Sequence, residues 1–235
     1  MAVGVEPRYL KFMLRRRPRL GEGMAELNAS ILARFAQVPG FWRPGSDIAR
    51  ARLLKTEESL TVDLRHARKV LIEGLGGQMR YHTRFPMIVS DDDAMNDDAL
   101  LFGLDTALVD HVSFCRSTLP RLIEIFEPYR MEVITDEALS IADWEIVCAH
   151  YRETRRSIEG RHGVFRIWPV CYFDDLLCRR AFGLAAAEVV ARAAPECERA
   201  ELINGGAFLL ATTAIVTGAA ELDAMDARLR ARLSA

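Results

Sequence analysis

Asp91-Asp92-Asp93-Ala94-Met95-Asn96-Asp97-Asp98 places five carboxylates in eight residues, between two apolar stretches near the middle of a 235-residue chain. A folded core does not absorb that density of negative charge, so the run has to be solvated, bound to metal or held against something basic. The charge around it is uneven as well. Residues 1–70 carry 14 Lys and Arg against 7 Asp and Glu, residues 71–150 carry 5 against 15, and residues 151–235 carry 12 against 11. The net charge of −2 gives no overall pull toward nucleic acid or an anionic membrane. An acidic middle third beside a basic first third is either internal complementarity or a negative face that steers a cationic partner inward.

With 50% apolar residues the chain has ample material for a core, and its 15 glycines and 9 prolines are too few for a collagen-like or linker sequence. Its length fits one domain, 1–235, or two closely packed α+β lobes of about 1–98 and 99–235. The cysteines, Cys115, Cys148, Cys171, Cys178 and Cys197, are odd in number, and no pair has zinc-ribbon spacing. Met1–Val5 leads into Glu6 without the basic start and long apolar run of a secretory signal. The apolar stretch over 206–220 is too short to span a bilayer. The expectation is a cytoplasmic protein with reduced thiols.

Local patterns set out the elements. Tyr9–Leu14 reads as a strand. Met24, Leu27, Ile31, Leu32 and Phe35 recur at helical spacing and predict a helix over 21–37, ended by Val38-Pro39-Gly40. Phe41-Trp42-Arg43-Pro44-Gly45 is a turn whose aromatics either plug the helix end or, at Trp42, stand out as a partner anchor. Two helices are expected next, from Ser46 to Leu54 and from Thr56 to Gly74, with Gly74-Leu75-Gly76-Gly77 breaking the chain. Arg80–Val89, Leu100–Leu108, His111–Cys115, Met131–Thr135 and Phe165–Phe173 are expected strands. Helices are expected after Ser117, in the middle of 138–158, from Asp174-Asp175, over 184–194 and over 220–233. Asn204-Gly205 between apolar arms predicts a hairpin. Strand pairs with short turns imply an α+β fold: a mixed, mainly antiparallel sheet with helices packed on one face.

No catalytic signature matches the acidic run in density. Gly74-Leu75-Gly76-Gly77-Gln78-Met79 starts like a dinucleotide fingerprint but puts Met79 where the last glycine belongs. The acidic run lacks the glycine and the closing glutamate of an EF-hand. His111 and Cys115 lie four apart in an expected strand, too far apart to pair. Asp174-Asp175 reads as a helix cap rather than a hydrolytic pair, and Trp144 and Trp168 read as packing residues. The Arg152, Arg155 and Arg156 cluster reads as a solvated helix face. The residues assign no catalytic group, metal ligand or cofactor.

The early helix ending near Phe41-Trp42, the segment Phe165–Phe173, the glycine pair Gly205-Gly206 opening an apolar strand and the closing helix together resemble bacterial immunity proteins of polymorphic-toxin and type VI secretion systems. The nearest likeness is to the immunity protein 52 family. It is one of layout, over about 21–233, with no diagnostic motif. It implies a non-enzymatic antitoxin that binds a cognate protein toxin and occludes its functional surface, with no nucleic acid or membrane as partner. On that reading Asp91, Asp92, Asp93, Asp97 and Asp98, with Trp42, form the toxin contact. The alternative is a metal-dependent hydrolase or transferase built on the same acidic run.

Overall fold

The computed structural model describes residues 9–43, 71–82, 84–86, 89 and 97–234, together with the backbone of 52–55 and 59–63. β1 (Tyr9–Arg16) is followed by α1 (Met24–Phe35), then β2 (Arg52–Lys55), β3 (Ser59–Asp63), β4 (Leu75–His82) and β5 (Asp98–Asp105). A helix, α2, begins as His111–Ser113, widens into a π turn over Phe114–Thr118 and continues as Leu119–Phe126. β6 (Arg130–Ile134), α3 (Glu137–Thr154), β7 (Val170–Phe173), α4 (Asp175–Phe182), α5 (Ala186–Ala193), β8 (Arg199–Ile203), β9 (Gly206–Leu210) and α6 (Ala219–Ser234) complete the chain. The nine strands form one sheet in the order β2-β3-β4-β5-β1-β6-β7-β9-β8. Each adjacent pair of strands runs antiparallel, so the fold is α+β. The first strand of the chain sits at the centre, between β5 and β6.

Alternation along the strands divides the side chains between two cores. Leu10, Phe12 and Leu14 of β1 join Leu100, Phe102 and Leu104 of β5 under α1 and α2. Phe12 stacks on Phe102 with ring centroids 4.7 Å apart, and Phe41 meets Phe35 and Trp42 edge-on at 5.3 and 5.1 Å. Cys171, Phe173, Ala207 and Leu209 turn to the opposite face, under Leu177 of α4, Val189 of α5 and Leu222 and Leu229 of α6. Helices therefore cover both faces of the sheet, where one was expected.

Local chemistry explains most element ends. Asp136 caps α3 by accepting Leu139 N–H at 3.0 Å, and Asp174 caps α4 through Leu177 N–H at 2.7 Å. Asn204 and Gly205 take φ of 48° and 78°, the left-handed pair that a tight hairpin turn requires. Pro120 has no N–H for the Arg116 carbonyl four residues back, and α2 widens at that point: Leu119 N–H bonds Phe114 O. The Arg116 carbonyl, which Pro120 cannot serve, accepts Arg199 Nη1 at 2.6 Å.

Several expectations are corrected. Residues 52–54 and 59–63 are strands, because Ser59-Leu60-Thr61-Val62-Asp63 alternates with period two; residues 46–51, 56–58 and 64–70 lie outside the described residues. Gly76 and Gly77 are inside β4 rather than breaking the chain. His111–Cys115 is helical, because the Asp110 carboxylate accepts Val112 and Ser113 N–H and starts α2. Only Val170–Phe173 of the apolar 165–173 stretch joins the sheet. Its first half is held by side chains instead: Arg230 Nη2 donates to Val164 O (2.8 Å) and Phe165 O (2.7 Å), and Asp226 accepts Ile167 N–H (2.8 Å). Among the described residues no helix is long and apolar enough to cross a membrane.

Candidate functional site

The registers of β4, β5, β1 and β6 stack three rows of side chains on the sheet face opposite α1 and α2. The first row is Gly76, Gly103, Lys11 and Ile134; the second is Gln78, Leu101, Met13 and Glu132; the third is Arg80, Ala99, Arg15 and Arg130. Two glycines side by side remove the wall that side chains would build there. α3 and the 159–168 segment stand over these rows and enclose a cleft of about 580 Å³. Its floor includes Gly76, Gly103, Met13 and Leu101, and its roof includes Ile141, Trp144, Val147, Phe165 and Trp168. The size and the apolar lining are those of a small-molecule site.

The glycines differ in role. A Cβ at Gly77, which faces the Phe12–Phe102 core, would lie 2.1 Å from Leu101 O and 2.5 Å from Phe102 Cβ, so glycine is required for packing. A Cβ at Gly103 would meet nothing nearer than Leu10 O at 3.8 Å. Neither packing nor a positive φ demands glycine at 103, so its lack of a side chain leaves open space above the sheet.

Charges are arranged along the cleft in pairs. Lys11 bonds Glu137 at one rim, and Arg166 bonds Asp143 and Asp223 at another. At the inner end Arg130 is shared by two carboxylates, Glu132 at 2.9 Å and Glu159 in a shorter contact. Glu159 Oε2 also accepts Phe165 N–H at 2.6 Å, whereas only Oε2 of Glu132 is engaged among the described residues. Burial, together with the Glu132 carboxylate, pushes the Glu159 carboxyl up to about 7 against the pull of Arg130. Arg15 lines the same end, and its hydrogen-bond partner among the described residues is Met13 Sδ at 3.4 Å.

The residues expected to contact a partner are placed differently. Asp98 is 0% exposed and accepts Arg84 Nη1 and Nη2 (2.8 Å each), Arg16 Nη1 (3.2 Å) and His82 N–H (3.1 Å). Glu22 closes the cluster against the same two arginines. Asp97 is buried against Tyr129 Oη (2.5 Å) and Arg161 Nε (2.7 Å). Both aspartates have thus met their counter-charge inside the molecule, 14 to 82 residues away in sequence. Trp42, 6% exposed, is a core residue rather than an anchor. Asp91, Asp92 and Asp93 lie outside the described residues.

The other candidates are structural. Burial pushes the thiols of Cys115 and Cys178 up to about 12 and that of Cys197 to about 11, so none is a thiolate near neutral pH. All five cysteines are free. Helical geometry brings His111 and Cys115 onto adjacent turns, but His111 Nε2 lies 3.1 Å from Thr213 O. Among the described residues no group of three His, Cys, Asp or Glu is placed to hold a metal ion. Trp168 is a packing residue, whereas Trp144 is 43% exposed at the cleft mouth.

In the sequence no residue of the cleft carried a binding role: Gly76 and Gly77 read as a chain break, and Trp144 and Trp168 as packing residues. Its signals were faint: two mid-strand glycines whose pairing depends on register, and one glutamate, Glu132, between apolar neighbours. No family model matches the chain, and no curated protein matches it.

Proposed function

We propose that this chain is a bacterial immunity protein that binds a secreted protein toxin in the cytoplasm and covers its functional surface. The observation that carries the reading is the run of exposed apolar side chains on α3, two of which, Ile141 and Trp144, also line the cleft. Ile141 (55% exposed), Trp144 (43%), Ile146 (53%) and Tyr151 (38%) are four of the ten exposed large apolar side chains among the described residues. One helix of 18 residues holds them, beside Glu137, Glu145 and Glu153. Scattered apolar exposure needs no explanation, but four such side chains on one helix, interspersed with acids and including a tryptophan, have the composition of a protein-contact surface. The carboxylates suit a basic partner and would speed its approach. Asp91–Asp93 remain part of this proposed contact; Asp97, Asp98 and Trp42 do not.

The alternative, a metal-dependent hydrolase or transferase on the acidic run, loses two of its five carboxylates to internal arginines. Co-expression with toxin domains encoded in the same genome tests the immunity reading. At least one growth arrest should be relieved by this chain and restored by Trp144→Asp combined with Ile141→Asp. Relief of no arrest, or relief untouched by those substitutions, would sink the reading or this surface respectively.

A further inference from the structure

The inner end of the cleft carries an unusual charge arrangement for a site open to a ligand. Two carboxylates, Glu132 and Glu159, share the single guanidinium of Arg130, and Glu132 keeps one oxygen unengaged among the described residues. Arg15 is diagonal to Glu132 in the β1–β6 register, on the same face, within reach for long side chains. It lies near enough to Glu159 to pull its carboxyl down, yet forms no ion pair among the described residues. Two carboxyl groups and two guanidinium groups therefore sit together at the end of an apolar trough, with Arg15 outside any ion pair among the described residues.

A ligand bearing only a cation would satisfy the carboxylates and confront Arg15. A ligand bearing only an anion would do the reverse. A zwitterion answers both and adds no net charge to a poorly hydrated site, where uncompensated charge is costly. The groups facing Glu159 are consistent with this: Arg130 and Glu132 from β6, Arg15 from β1, Phe165 N–H from its own segment, and on α3 an Asp143 already paired with Arg166. The paired glycines Gly76 and Gly103 clear floor space next to this end, under Ile141 and Trp144. We propose that the cleft binds a small zwitterion of the α-amino-acid kind, with its ammonium on Glu132 and Glu159, its carboxylate on Arg15, and an aromatic or aliphatic body over the glycine floor. This site does not depend on the toxin-binding reading.

Calorimetric titration tests it with L-phenylalanine, L-tryptophan, L-leucine and L-methionine, and with phenethylamine and 3-phenylpropionate as the singly charged counterparts of phenylalanine. At least one amino acid should bind saturably, and phenylalanine should bind about tenfold or more tightly than either counterpart. Arg15→Met and Glu132→Gln should each weaken binding by about tenfold. Gly103→Phe should abolish it by filling the floor, and Gly103→Ala should leave the thermal midpoint close to that of the parent. If Gly103→Phe fails to fold, the two charge variants carry the test. No saturable binding of any amino acid up to about 10 mM, a singly charged counterpart binding as well as phenylalanine, or binding indifferent to both charge variants would overturn the proposal. None of those outcomes bears on toxin neutralisation.

Discussion

Glu159 holds its proton more tightly in the folded chain, with its carboxyl near 7, than at its ordinary value of 4.5. The folded state therefore takes up a proton between those values, and stability falls as pH rises through that window. Glu159→Gln should remove this slope: urea denaturation at pH 5 and pH 8 should give the variant a flatter dependence than the parent, with its relative gain at pH 8. An equal slope in both would show that Glu159 titrates normally. Asp98 supplies a second residue-scale test. It is fully buried and holds Arg16 and Arg84, so Asp98→Ala leaves the two guanidinium groups with Glu22 as their remaining carboxylate among the described residues. Removal of one partner from such a cluster costs about 3–5 kcal/mol. A solvated contact residue would cost almost nothing, and the denaturation midpoint separates the two.

At the scale of elements, the adjoining strands β4 and β5 contain two kinds of glycine. Gly77→Ala should destabilise by about 1–3 kcal/mol or more, because its Cβ would press on the Leu101 and Phe102 backbone. Gly103→Ala has open space and a mid-strand glycine's entropy cost to recover, so its effect should lie within about 1 kcal/mol of zero. Chemical denaturation of the two variants checks the contrast, and equal losses would contradict the assignment of Gly103 to the cleft floor. α3 makes a parallel case. Its inward residues are Asp143 and Val147, while Ile146 faces outward. Ile146→Lys should shift stability by no more than about 0.5 kcal/mol, against about 2 kcal/mol or more for Val147→Ala, as thermal melting would report.

Across the whole molecule, β1 joins parts of the chain that are far apart in sequence. It pairs with β5 on one side and β6 on the other, so a cut near residue 98 would strip both strands of their central neighbour. Calorimetry of the intact chain should give one cooperative transition, and a chain of 97–235 alone should remain unfolded by circular dichroism; a folded fragment would establish separable lobes. The same placement builds the cleft. Its charged end draws Arg15 from β1, Glu132 from β6 and Glu159 from the segment after α3, brought together by antiparallel registry and by Arg130.

Where side-chain periodicity and turn chemistry act within a dozen residues, the sequence sufficed. Met24 to Phe35, the Asn204-Gly205 hairpin, the Asp174 cap and the closing helix are all local consequences of spacing and backbone preference. Residues 52–55 and 59–63 are strands where helices were expected: the period-two alternation over 59–63 is short, and pairing with a sheet neighbour decided the matter. The acidic run misled for a longer-range reason. Its composition fixed the need for counter-charge but not the source, and only the folded chain brought Arg16, Arg84 and Arg161 to Asp98 and Asp97. Burial likewise belongs to the tertiary structure: Trp42, expected in the partner contact, closes the core, and Trp144, read as a packing residue, stands at the mouth of the cleft. Short-range geometry was written in the order of residues; which charges meet, and which faces remain open, was set by packing between segments far apart along the chain.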